Sequence, residues 1–153
     1  SFKEVAFREA HHHSELLQPQ VDLFTEVNDA ITSFWAEMGH LGLQNDVVLY
    51  TISDFGRTLT SNGSGSDHAW GGNHFVIGGD VNGGKIYGEY PVLATGGPLD
   101  IGRGRLLPTT SVDAYGSEIA SWYGVPNTEL ETVFPNATNF FNPVSTPNPL
   151  GIF

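Results

Sequence analysis

From Val21 onward, apolar side chains recur at Val21, Phe24, Val27, Ile31, Phe34, Met38 and Leu41. Steps of three and four trace one face of a helix about five to six turns long, closed by Gly39 and Gly42. Glu26, Asp29 and Glu37 lie off that stripe, and no Lys or Arg occurs between Arg8 and Arg57, so the outer face is acidic. Next comes the run Val47-Val48-Leu49-Tyr50-Thr51-Ile52. Apolar on both faces, it suits a parallel strand covered by helices on either side. A long helix followed by such a strand is the second half of a βαβ unit. Ser1 to Phe7, with Phe2, Val5 and Phe7, reads as a short strand ahead of it.

Beyond Ile52 the periodicity weakens. Ser61 to Ser66 is a Gly/Ser/Asn loop, and His74 to Ile77 is a short apolar strand stopped by Gly78-Gly79. Lys85 to Tyr90 is expected as a hairpin arm ended by Pro91, and residues 92–108 as an ordered Gly- and Pro-rich loop. A second helix is expected from Ser111 to Tyr123, capped by Thr110, with Asp113 in its first turn and Val112, Tyr115, Ile119 and Trp122 as its stripe. Residues 126–153 are Asn- and Pro-rich with scattered Phe, a tail expected to lie packed on the surface. There is no internal repeat. The 153 residues are expected to form a single domain, or the C-terminal half of a larger α/β domain.

Composition narrows the classes. Hydrophobic residues make up 39% and charged residues 15%, enough apolar material for a core. Six Lys and Arg against seventeen Asp and Glu give a formal charge of −11. Such a surface repels phosphate backbones, so nucleic acid is not an expected partner. The absence of Cys excludes disulfides, thiolate metal sites and a cysteine nucleophile. No stretch reaches the roughly 18–20 apolar residues of a membrane span, and Ser1 to Ala10 carries no signal-peptide pattern.

Three places carry candidate chemistry. His11-His12-His13 resembles a tag remnant, yet it also falls where a strand would turn into a helix, and alternation lets His11 and His13 reach one ion. Asp54 follows the end of the best strand, either as the cap of a turn or as a carboxylate aimed into a sheet-edge crevice. Arg57, three residues on, either balances local acid or contacts a phosphate or sulfate oxygen pair. Asp67-His68 and His74 flank Trp70 and a double glycine, and imidazole with carboxylate suits zinc, manganese or iron. No nucleophile elbow, P-loop, dinucleotide fingerprint or His-Glu-x-x-His is present. Asn62-Gly63-Ser64 and Asn136-Ala137-Thr138 match the glycosylation pattern, a triplet frequent by chance.

The order Ser53-Asp54-Phe55-Gly56-Arg57-Thr58, Asn62-Gly63, Asp67-His68-Ala69-Trp70-Gly71-Gly72, Gly78-Gly79, Gly83-Gly84, Tyr87-Gly88 and Pro91 resembles the exported bacterial family designated domain of unknown function 1501. That family is grouped with the alkaline phosphatase and sulfatase superfamily. The resemblance implies an αβα sandwich with a mostly parallel sheet, incomplete here because the family's N-terminal half, with its nucleophile and first metal carboxylate, has no counterpart in these residues. It implies a metal-dependent hydrolase of phosphate or sulfate esters, with His11, His13, Asp54 and His68 as metal ligands; the oxyanion contact read above for Arg57 would serve such a reaction. The expected cofactor is a divalent metal, zinc or manganese, and the expected location periplasmic or extracellular. His11 stands where the family shows an Asp, and Phe55 where classical superfamily enzymes have a second His. The alternative is a non-catalytic extracellular structural or assembly protein that keeps the fold, docking on a neighbouring subunit through Phe140, Phe141, Ile152 and Phe153; the expected partners are an ester substrate, a second copy or a missing N-terminal segment.

Overall fold

The computed structural model describes residues 17–153; the expected first strand, His11 and His13 lie outside the described residues. The periodic stripe forms helix α1, Leu17–Leu41, 25 residues long. It is anchored at its C-terminal end: Leu43 N–H donates to Met38 O at 2.9 Å, and Gly79 N–H to Gln44 O at 2.8 Å. Along the helix Val27, Ile31, Phe34 and Met38 are half-buried, whereas Val21 and Phe24 stay 57% and 69% exposed. The described residues thus cover only part of the apolar face. None of the helices among them is long and apolar enough to cross a membrane.

The sheet expectation is overturned. The strands are β1 (Val48–Tyr50), β2 (Gly56–Ser61), β3 (Ser66–Ala69) and β4 (Val76–Gly78), and they form two antiparallel pairs, β1 with β4 and β2 with β3. The arrangement is α+β, not a mostly parallel αβα sandwich. Its physical cause lies between β1 and β4. A parallel pairing needs a crossover, usually helical, that returns the polypeptide to the starting edge. Here the intervening residues are spent on the β2–β3 hairpin, which leads back to the end where β1 stopped. Tyr50 therefore pairs with Val76, Leu49 with Ile77 and Val48 with Gly78. Thr51 and Phe75 extend the ladder, with Thr51 N–H donating to Phe75 O at 3.1 Å and Phe75 N–H to Thr51 Oγ1 at 3.0 Å. The Lys85–Tyr90 arm is not a strand but a series of bends.

Helix α2 spans Val112–Trp122 and is capped by Ser111, one residue later than expected, whose Oγ accepts Ala114 N–H at 3.0 Å. Its buried face is also rotated from the expected one: Val112 is 63% exposed, while Asp113, Ala114, Ser117 and Glu118 are buried. A short helix α3, Leu130–Val133, and 3₁₀ turns at Asn127–Glu129 and Ala137–Asn139 follow. Among the described residues the buried apolar set is Leu106, Ala114, Leu130, Ala137 and Ile152, so the core sits where α2 meets the C-terminal third. Glu118, fully buried, is its polar centre. One carboxylate oxygen accepts the N–H groups of Leu150 and Gly151, and the other that of Ile152 at 2.7 Å. Ile152 is therefore buried rather than exposed for docking, and Phe153 stacks on Trp122 with centroids 5.5 Å apart.

Two substitutions on α2 should affect stability differently. Glu118→Ala strands three N–H groups, that of Ile152 buried and those of Leu150 and Gly151 part-buried, and is expected to cost on the order of 3 kcal/mol in urea denaturation, with early proteolysis at the C-terminus. The Ser117 hydroxyl is buried with no hydrogen-bond partner. Ser117→Ala should be neutral or stabilising by up to about 1 kcal/mol in the same measurement.

Candidate functional site around Phe55

The candidate residues sit where β1 gives way to the β2–β3 arm. Ser53 Oγ donates to Phe55 O at 2.9 Å, a local turn that leaves the Asp54 side chain exposed. Gly56 then opens β2 against residues 69–72. A Cβ there would lie 1.8 Å from Gly71 O, so only glycine permits the two backbones to pass so closely. Across the pair, Arg57 stands opposite His68.

Phe55 organises both side chains. Its ring stacks on His68 at 3.8 Å between centroids and 11° between planes, and the Arg57 guanidinium carbon lies 5.4 Å from the same ring. Arg57 Nη1 also donates to Ser66 O at 2.9 Å, fixing the guanidinium against β3. Stacking engages the face of the His68 imidazole, while its nitrogens, which would bind an ion, lie in the ring plane. His68 is exposed, so that edge meets solvent. The structure thus places Arg57 and His68 against one aromatic ring, with Asp54 next to Phe55 in sequence and its side chain exposed. The described residues contain no group of three His, Asp or Glu side chains able to hold a metal ion.

Asp67 faces a different set of partners, because adjacent strand residues point to opposite faces. It accepts from Asn62 Nδ2 at 2.8 Å and pairs with Arg103 at 2.8 Å. Arg103 is the one described non-glycine residue at positive φ (63°), and its carbonyl accepts Thr60 Oγ1 at 2.7 Å. The turn before it is built on Asp100, whose carboxylate accepts the N–H groups of Gly96, Gly102 and Gly104. These bonds, that from Gly96 foremost, hold the Asp100 carboxyl below the usual carboxylate range.

A second aromatic group stands at the end of β1. The His74 ring stacks over Tyr115 at 5.8 Å, and Tyr50 meets Tyr115 edge-on at 6.3 Å. The Tyr115 hydroxyl lies 3.2 Å from Thr51 O and 3.3 Å from Phe75 O, joining α2 to the β1–β4 ladder. Burial lowers the His74 pKa. Burial, with Tyr50 nearby, pushes Tyr115 up to about 12. Helical periodicity placed Tyr115 on the α2 stripe; its meeting with Tyr50 and His74, far away in sequence, left no local signal.

An acidic α+β protein with an aromatic-centred polar cluster at the end of a two-stranded ladder is the class these features define. The chain belongs to the family described as Protein of unknown function (DUF1501), which matches residues 2–99. No curated protein and no solved structure matches the sequence.

The Tyr115 environment has a pH signature. In the unfolded state a tyrosine ionises near 10, and in the fold Tyr115 holds its proton to about 12. The unfolded state therefore loses its proton first, and stability should fall as pH rises through that window. Absorbance titration should show one late-ionising tyrosine, lost in Tyr115→Phe along with part of the alkaline slope in stability.

Proposed function

We propose that this protein serves as a metal-dependent hydrolase of phosphate or sulfate esters, related to the alkaline phosphatase and sulfatase superfamily and working in the periplasm or outside the cell. The observation that supports this reading is the meeting of His68 and Arg57 at the Phe55 ring, one residue after Asp54. A carboxylate and an imidazole are the donors that zinc or manganese takes, and a guanidinium is the group that recognises a tetrahedral oxyanion. The described donors do not by themselves make an ion site, since a catalytic zinc takes three protein ligands and Asp54 and His68 are two. The reading therefore includes His11 and His13 as further ligands.

Within this proposal Phe55 is a positioning residue. It turns the imidazole so that a nitrogen can face an ion, and it keeps the guanidinium beside the same spot. Calorimetric titration of the full-length protein with zinc and with manganese, alongside turnover of aryl phosphates and aryl sulfates, tests the reading. Asp54→Asn and His68→Ala are each expected to weaken metal binding by roughly tenfold or more and to abolish turnover. A protein that binds neither metal and turns over neither ester would overturn it.

The second reading is a non-catalytic assembly protein. It draws support from the exposed Val21 and Phe24 on α1 and from Phe140, 62% exposed near the C-terminus. Sedimentation analysis separates the two readings: an assembly protein self-associates, whereas a strictly monomeric protein with ester turnover supports the hydrolase.

A further inference from the structure

The tip of the β2–β3 hairpin carries an Asn-Gly dipeptide, Asn62-Gly63, in a setting that bears on its chemistry. Asn62 Oδ1 accepts the backbone N–H groups of Ser64 at 3.1 Å and Gly65 at 2.8 Å. Its Nδ2 donates to Asp67 Oδ1 at 2.8 Å, and Gly63 N–H donates to Ser61 Oγ at 3.0 Å. Gly63 has φ 98°, and residues 61–64 are exposed to water. A backbone nitrogen that follows asparagine can attack the amide carbon of that side group, and a glycine there lacks the Cβ that obstructs the approach.

We propose that Asn62 is a site of spontaneous cyclisation and deamidation, promoted by the fold. The Gly63 amide nitrogen gives up its proton to solvent base and bonds to Asn62 Cγ, placing negative charge on Oδ1. The Ser64 and Gly65 N–H groups already point at that oxygen, as the donors of an oxyanion hole do. Collapse breaks the Cγ–Nδ2 bond, and Nδ2 takes a proton from water and leaves as ammonia. The resulting five-membered imide then adds water at one of its two carbonyls. Breaking the Cγ–N bond gives aspartate, and breaking the backbone C–N bond gives isoaspartate. The net change is water in and ammonia out.

The product alters the neighbouring contacts. A neutral donor to Asp67 becomes a carboxylate beside a carboxylate, next to the Asp67–Arg103 pair at 2.8 Å. The hairpin tip next to His68 is thereby loosened. The protein holds its own control in Asn82-Gly83. There Gly83 N–H donates to Val81 O at 2.8 Å, and Asn82 N–H donates to Ile152 O at 2.8 Å. The Asn82 carbonyl also accepts the Tyr87 hydroxyl. The attacking nitrogen of that pair is tied to a backbone carbonyl, where the one at Gly63 is tied only to a hydroxyl that can rotate away.

Peptide mapping tests the proposal on the full-length protein, incubated in mildly alkaline buffer with and without urea. Mass gain and isoaspartate are read at both dipeptides. In the native protein the Asn62 peptide is expected to convert faster than in urea, and the Asn82 peptide roughly tenfold or more slowly than in urea. Asn62→Gln, whose longer side group would have to close a larger ring, should abolish conversion at that position. Conversion of Asn62 no faster in the native protein than in urea would overturn the proposal, because the fold would then not be promoting it. Asn62→Asp should raise amide exchange across Ser61–Asp67, and unchanged exchange would overturn the loosening.

Discussion

One buried carboxylate ties the C-terminus to the helix around which the core of the described residues is built. Glu118 on α2 accepts the N–H groups of Leu150, Gly151 and Ile152, and so fixes the C-terminus against the helix. From there the connections spread outward. Ile152 O accepts Asn82 N–H, and Trp122 Nε1 donates to Asp80 Oδ2 at 3.2 Å, which ties the turn after β4 to the same assembly. Tyr115, one turn earlier on α2, reaches the far end of the β1–β4 ladder. A carboxylate buried with several N–H donors is well compensated for its lost hydration, and it is directional where apolar contact is not. It sets where the C-terminus lies.

The β2–β3 arm is held on another principle. Its only buried residues are Gly56, Thr58 and Gly65, so it has little apolar interior. Thr58 Oγ1 donates to Thr60 O, Leu59 N–H to Gly104 O, and Gly71 N–H to Leu106 O. A Gly-rich loop centred on Asp100 is thereby laid along the hairpin. Polar links of this kind place side groups while leaving them reachable from water. The aromatic ring of Phe55 supplies an apolar platform in that polar setting.

Helix α1 stands apart from both. Its acidic residues and its apolar stripe lie on different faces, and the stripe is only half covered by the described residues. With a formal charge of −11 and only six Lys and Arg, a surface that meets this molecule gains from carrying positive charge. The exposed apolar positions and the acidic field are separate properties of the helix, and each acts on a different part of whatever lies near it.

The extent of α1 and of α2, and the apolar character of β1 and β4, were legible in local sequence because they rest on periodicities of three to four residues and on β-branched runs. The family was legible too, in the ordered motif set from Ser53 to Pro91. Strand direction was not. An apolar run is the same whether its partner arrives parallel or antiparallel, and the choice was made by the β2–β3 hairpin, whose Asn62-Gly63 turn signal lay within what read as a loop. The buried face of α2 was also decided elsewhere, because Glu118 becomes an interior residue only when distant backbone N–H groups converge on it. The meetings of Phe55 with His68 and of Tyr115 with His74 are likewise products of the folded state. Local sequence determined the helical segments α1 and α2 and the apolar strands β1 and β4; the tertiary structure alone decided which segments meet, since contacts between distant residues depend on the path of everything between them.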